Sequence, residues 1–188
     1  MKSFEEVMQV TRHISGPAAF ENAECRAYYD LLTKLPYGAT VLEIGLQFGR
    51  SSSIIMQLQR EMNFRYLAVD PWVDPPEACR EWVNLLIQLQ AQAVLYCMRT
   101  VDYMLQGTYP RWPPIDLCLI DGDHLEEAVA LDIHAVRPYI RTGGYLCFHD
   151  FGRASLPGVF AAVHSTRWDP EEWQELPAVG TLGIWRRQ

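Results

Sequence analysis

The chain has 188 residues, close to half of them apolar and about a fifth charged, with a formal net charge of −7. This is globular composition for one domain with a full core, and the acidic balance removes the usual electrostatic drive toward nucleic acid. No run of 18 apolar residues is long enough for a membrane span, and the acidic start MKSFEEVMQV does not read as a secretory signal. Five cysteines without CxxC spacing imply free thiols in a reducing, cytoplasmic setting, with neither a disulfide framework nor a zinc site.

Residues 3–35 are mostly helical, with a break near Ser15-Gly16-Pro17, so 1–37 form a helical N-terminal cap to a core over 38–188. Strand 41–45 (VLEIG) opens the core, followed by helix 50–60, strand 66–70 (YLAVD), helix 77–90 and strand 93–97 (AVLYC). A short helix near 100–106 and the turn-rich YPRWPP lead to strand 115–120 (IDLCLI). In the next helix Val129, Ile133, Val136 and Ile140 repeat at spacings of four, three and four, one buried face. Gly143-Gly144 ends that unit, then come strand 145–149, a helix near 157–166, and strands near 172–177 and 181–186. Continuous apolar strands alternating with helices predict a doubly wound α/β sheet, mostly parallel, with helices on both faces. Ligands of such sheets bind at the carboxyl ends of the strands, and the unusual charges collect there: Glu43, Asp70, Asp121, Asp123, His124, His149 and Asp150.

In VLEIGLQFGRSS, Gly45 lets a ligand approach the backbone, Gly49 can take a positive φ, and Ser51 stands at a helix N-terminus whose free amides suit a carboxylate or phosphate. Gln47 occupies the second glycine position of a G-x-G-x-x-G turn, which argues against a pyrophosphate and hence against a nucleotide-dependent oxidoreductase. Asp70, about 25 residues on, is placed to accept a ribose diol. "IDGDH" has a plainer reading too, with Asp123 capping the next helix and Glu126-Glu127 complementing its dipole.

VLEIGLQFGRSS, AVDPW, LIDGDH and RTGGYLCFHD, in this order, resemble the class I S-adenosylmethionine-dependent methyltransferases, and among them a small group related to the metal-dependent O-methyltransferases. The resemblance implies a Rossmann-like sheet of seven strands, the last one (TLGIWRR) antiparallel. It places Gly45 under the methionine part of the cofactor with Glu43 nearby, and Ser51 on its carboxylate; Gly49, in the same turn, is read with them as cofactor-binding. Asp70 goes to the ribose with Trp72 nearby, Met98 and Arg99 flank the adenine, and Asp121 begins the catalytic end. Glu126 stands where the group often has tyrosine.

Asp121 and Asp150 close neighbouring strands and, with His149, suit Mg²⁺ or Mn²⁺ better than a thiolate-seeking metal. Asp123, His124 and His149 are the candidate bases for a hydroxyl acceptor. The expected activity is O-methylation of a small hydroxylated molecule; a non-catalytic cofactor-binding protein is the alternative. A short N-terminal cap favours a small acceptor over a macromolecule and leaves room for a homo-oligomer to close the site.

Overall fold

The computed structural model describes residues 1–14, 20–72, 76–105 and 112–188. The expected break at Ser15-Gly16-Pro17 and the first half of YPRWPP lie outside these residues. Two helices precede the sheet: α1 (Phe4–Thr11) and α2 (Asn22–Leu32). Each is started by a carboxylate that reaches back, Glu6 to the Ser3 amide at 2.7 Å and Glu24 to the Glu21 amide at 2.7 Å. Then follow β1 (Thr40–Ile44), α3 (Arg50–Met62), β2 (Arg65–Val69), α4 (Pro76–Gln88), β3 (Val94–Tyr96) and α5 (Thr100–Leu105). The chain ends with β4 (Ile115–Ile120), α6 (Glu126–Val136), β5 (Ile140–Phe148), α7 (Pro157–Ser165), β6 (Trp173–Val179) and β7 (Leu182–Arg187).

The strands form one seven-stranded sheet in the order β3-β2-β1-β4-β5-β7-β6, and β7 runs antiparallel to both of its neighbours. This is the expected Rossmann-like sheet. Alternation along each strand sorts the core into two layers. Val41, Ala68, Leu117, Leu119 and Cys147 pack under α1–α4, whereas Leu42, Ile44, Val69, Ile120 and Phe148 pack against α5–α7. Among the described residues no helix is long and apolar enough to cross a membrane. All five cysteines are free, with Cys118 and Cys147 buried in strands and Cys97 exposed just past β3.

Two expectations are corrected around β5. The strand begins at Ile140, not 145, so Ile140 belongs to the sheet and the buried face of α6 ends at Val136. Gly143-Gly144 lie inside β5 because the pairing with β4 shifts register there, a bulge that Gly143 accommodates with φ +82°. Pro138 in the intervening 3₁₀ turn explains why the helix cannot run on.

Candidate active site

One row of the sheet runs Val69, Ile44, Ile120, Phe148, and the next residue on each strand is Asp70, Gly45, Asp121 and His149. The ladder continues one step into this row: Asp121 donates its amide to Ile44 at 2.8 Å and His149 donates to Ile120 at 3.1 Å. Sheet geometry thus holds the backbone of these four residues, and parity places the Asp121 and His149 side chains on the face that α2 covers.

Past β1, the turn is built around Glu43. Its carboxylate is fully buried and accepts hydrogen bonds from the hydroxyls of Ser51, Ser52 and Tyr66, while Ser52 in turn accepts from Trp82 Nε1 at 2.9 Å. Burial pushes the Glu43 carboxyl up to about 7, against the pull of the three hydroxyls. Ser51, expected to meet a methionine carboxylate, donates its hydroxyl to Glu43. Gly49 has φ +85° and starts α3, and a Cβ on it would lie 2.8 Å from Trp82.

Past β2, Asp70 closes the same turn. Its Oδ2 accepts the Leu46 amide at 2.7 Å and the Gln47 amide at 3.4 Å, and its Oδ1 accepts the Trp72 amide at 2.6 Å. Trp72 has φ +42° and packs on Trp82 at 5.7 Å between centroids. Past β3, Met98 is half-buried against the α5–α7 layer and Arg99 is exposed. Trp112 belongs to the core, stacked on Tyr103 at 4.1 Å.

Past β4 and β5 the charges converge. The strand geometry ends at Phe148, and Asp150 takes φ +56°, which folds its side chain back beside His149. His149 is buried, with Nδ1 3.0 Å from Asp121 Oδ1 and 3.5 Å from Asp150 Oδ2, and Nε2 3.3 Å from Glu24 Oε2. Phe20 stacks on the ring at 4.5 Å. Burial opposes charge on this imidazole, yet the carboxylates outweigh it and push His149 up to about 12. Asp150, despite its burial, is held below the usual carboxylate range by His124, His149 and Arg153. Glu24 is likewise lowered to about 2, its burial offset by His149 and the amides of Glu21 and Thr181. Asp121 moves the other way: burial raises it against the attraction of His149.

His149 was expected both as a metal ligand and as a base. Both of its ring nitrogens face carboxylates, Nε2 that of Glu24 and Nδ1 those of Asp121 and Asp150. His124, another candidate base, stands beside Asp150. Its Nε2 lies 3.0 Å from Asp150 Oδ2, its side chain is 33% exposed, and Asp150 raises its pKa above the ordinary value. Ligand atoms of Asp121, His124 and Asp150 all lie within 4.8 Å of one another. Asp123 is exposed, and its Oδ1 accepts the Leu125 amide at 3.0 Å. Leu125 is the residue that caps α6, so Asp123 shapes the turn before the helix and does not cap it.

Two participants escaped sequence reasoning. Glu24 comes from a helix 125 residues away, and no local pattern marks it beyond its place in a capping box. Arg153, 2.8 Å from Asp150, follows the fifth strand closely enough that its charge beside "HD" is a usable signal.

A family model described as a methyltransferase domain matches residues 42–151. An uncharacterized protein of Acanthamoeba polyphaga mimivirus is 26% identical over 148 residues, which cover 76% of this chain and 58% of the relative. Demethylmacrocin O-methyltransferase of Streptomyces fradiae is 38% identical over 48 residues, 26% of this chain and 12% of that protein. The chain therefore spans well under two thirds of these curated relatives. The O-methyltransferase TomG of Streptomyces achromogenes, involved in tomaymycin synthesis and solved in complex with S-adenosylmethionine, superposes with a TM-score of 0.66. Its identity is 15% over 98% of this chain and 88% of that one, a likeness of fold.

Proposed function

The chain belongs to the methyltransferase-domain family, and on that premise we propose that it is an S-adenosylmethionine-dependent O-methyltransferase acting on a small hydroxylated molecule. The observation that carries this reading is where the orphaned polar atoms lie. Among the described residues, two buried side-chain donors without a hydrogen-bond partner follow β1 and β2, Arg50 Nε and Trp72 Nε1. Each such atom costs roughly 1–3 kcal/mol when left unpaired. A polar ligand along this edge of the sheet relieves that cost. S-adenosylmethionine carries a carboxylate and a ribose diol, acceptors matched to the two donors, so the residues fit the cofactor.

The cofactor supplies an electrophilic methyl group on sulfur. Glu43 and Asp70 act through the chain: one holds the start of α3, the other clasps the amides of Leu46 and Gln47. We assign Gly45, Gly49, Ser51 and Asp121 to the lining of the methionine end, Asp70 and Trp72 to the ribose, and Met98 and Arg99 to the adenine.

Asp121, His124 and Asp150 would hold Mg²⁺ or Mn²⁺. Two carboxylates and an imidazole are the right donors, and their ligand atoms lie within 4.8 Å of one another. Such an ion stabilises negative charge on an acceptor oxygen. With the ion held, proton removal falls to Asp123 on the exposed rim of the turn, since a His124 that coordinates through one ring nitrogen carries its proton on the other. A second reading dispenses with the ion: the 3.0 Å contact makes Asp150 the orienting partner of His124 as a general base.

A small acceptor is supported by the Streptomyces fradiae relative, whose name specifies demethylmacrocin. The net charge of −7 speaks against a nucleic-acid partner, and five free cysteines suit a reducing cytoplasm. Calorimetry with S-adenosylmethionine and S-adenosylhomocysteine tests the reading. Both are expected to bind and to raise the melting temperature, and a nicotinamide dinucleotide is expected to do neither. Absence of binding by both sulfur ligands at millimolar concentration overturns it.

A further inference from the structure

We infer that Glu24, on the N-terminal helix α2, is a positioning residue for the catalytic end of the sheet: it fixes the ring of His149 so that Nδ1 is aimed at Asp121. The use of that aim in methyl transfer rests on the function proposed above. The geometry does not.

Glu24 is itself immobilised. Its side chain is 2% exposed, Oε1 accepts the Thr181 amide at 2.6 Å and the Thr181 hydroxyl at 2.8 Å, and Oε2 accepts the Glu21 amide at 2.7 Å. The remaining capacity of Oε2 faces His149 Nε2 at 3.3 Å. A carboxylate offers about four acceptor positions, so this one is filled and has no reason to turn. The β6–β7 turn is shaped around it as well, since a Cβ on Gly180 would lie 2.7 Å from Oε1.

His149 is thereby held on three sides. Phe20 covers one face of the ring with planes 17° apart, Glu24 takes Nε2, and Nδ1 is left 3.0 Å from Asp121 Oδ1. A capping role for Glu24 needs only the Glu21 amide, and a pinning role needs only Thr181. A glutamine meets the Thr181 requirement through its carbonyl oxygen. It fails at Oε2, where its NH₂ would meet two N–H donors. The Glu21 and Thr181 amides each occupy one oxygen, and the contact of Oε2 with Nε2 joins this carboxylate, and with it α2, to the site.

The test reads the ring N–H protons of His149 in protein labelled with ¹⁵N-histidine, assigned by their loss in His149→Gln. In Glu24→Gln the Nδ1–H proton is expected to shift and to exchange with water at least tenfold faster, while S-adenosylhomocysteine affinity stays within twofold. Thr181→Val removes one bond to Oε1 but leaves Oε2 on the ring, so it is expected to lower stability without moving the Nδ1–H signal. Should Glu24→Gln not fold, Glu24→Asp, one methylene shorter, withdraws the carboxylate from Nε2 and is expected to give the same exchange effect. An unchanged Nδ1–H signal in the folded Glu24 variant overturns the inference, as does an equal effect of Thr181→Val or failure of both Glu24 variants to fold. Wild-type protein that shows the coupled ring signals but binds no S-adenosylhomocysteine removes the methyltransferase reading and leaves the positioning role standing.

Discussion

Gly45 and Asp121 are stacked backbone against backbone. With φ +84° at Gly45, a Cβ there would overlap the Asp121 carbonyl and lie 2.6 Å from the Gly122 Cα. The sequence reading assigned this glycine to the approach of a ligand, but the crossing of the β1 and β4 exits already requires it. Gly45→Ala offers no flexible neighbour to move and adds a strained φ, so a loss of about 4 kcal/mol or outright failure to fold is expected. Thermal denaturation of the variant checks this; a melting temperature within a few degrees of wild type would contradict it.

Asp70 has two separable jobs. Replacing it by alanine strands the amides of Leu46, Gln47 and Trp72, so the ligand-free protein is expected to lose about 1–3 kcal/mol in urea unfolding. If the same carboxylate also holds the ribose diol, affinity for S-adenosylhomocysteine falls a further ten- to hundredfold. Equal affinity in wild type and Asp70→Ala, alongside the loss of stability, would leave Asp70 with the turn alone.

The fold was legible because its strands advertise themselves. Val41–Ile44 and Leu117–Ile120 are buried on both faces, and such runs admit few readings. The turns were harder, since a bulge lets β5 pass through Gly143-Gly144, residues that ordinarily punctuate a chain. In the site, the acids at strand ends were visible but their partners were not. Which of His124 and His149 faces Asp150 with a usable nitrogen depends on sheet parity, the positive φ of Asp150 and a glutamate from α2. None of these is encoded near the histidines.

Asp132, buried on α6, gives a pH dependence with a definite sign. Burial, opposed by a hydrogen bond from Thr100 and reinforced by the charge of Asp123, pushes its carboxyl up to about 7. The native state therefore keeps a proton that the unfolded chain has released, so this group's contribution is intact below pH ~4 and is lost as pH rises toward and through 7. Asp132→Asn removes that loss. Its stability is expected to fall less between pH 5 and 8 than that of wild type, by on the order of 2–4 kcal/mol. Glu43, raised to about 7 in the same sense, leaves a residual slope in both proteins. Identical slopes in urea titrations at the two pH values would show that Asp132 does not titrate there.

The metal reading makes the sharpest demand on the turn "IDGDH". If Asp121, His124 and Asp150 form one site, alanine at any of the three is expected to abolish saturable Mn²⁺ binding, while at His124 or Asp150 S-adenosylhomocysteine affinity stays nearly intact. Asp123→Ala, which loses only the bond to the Leu125 amide, is expected to keep the ion and cost about 0.5–1.5 kcal/mol. Without the ion, mutual repulsion of Asp121 and Asp150 would make loss of either carboxylate stabilising. His149 changes that sign. It lies 3.0 Å from one carboxylate and 3.5 Å from the other, and Arg153 adds a second cation 2.8 Å from Asp150. Asp150→Ala should therefore destabilise even the metal-free protein, by about 3–5 kcal/mol, because it leaves a buried cation short of its partner. Manganese titration of wild type and the four variants, with thermal melts in the presence and absence of the ion, measures both effects. A wild type without a saturable Mn²⁺ site when S-adenosylhomocysteine is present would exclude the ion and leave His124, oriented by Asp150, to take the acceptor's proton unaided.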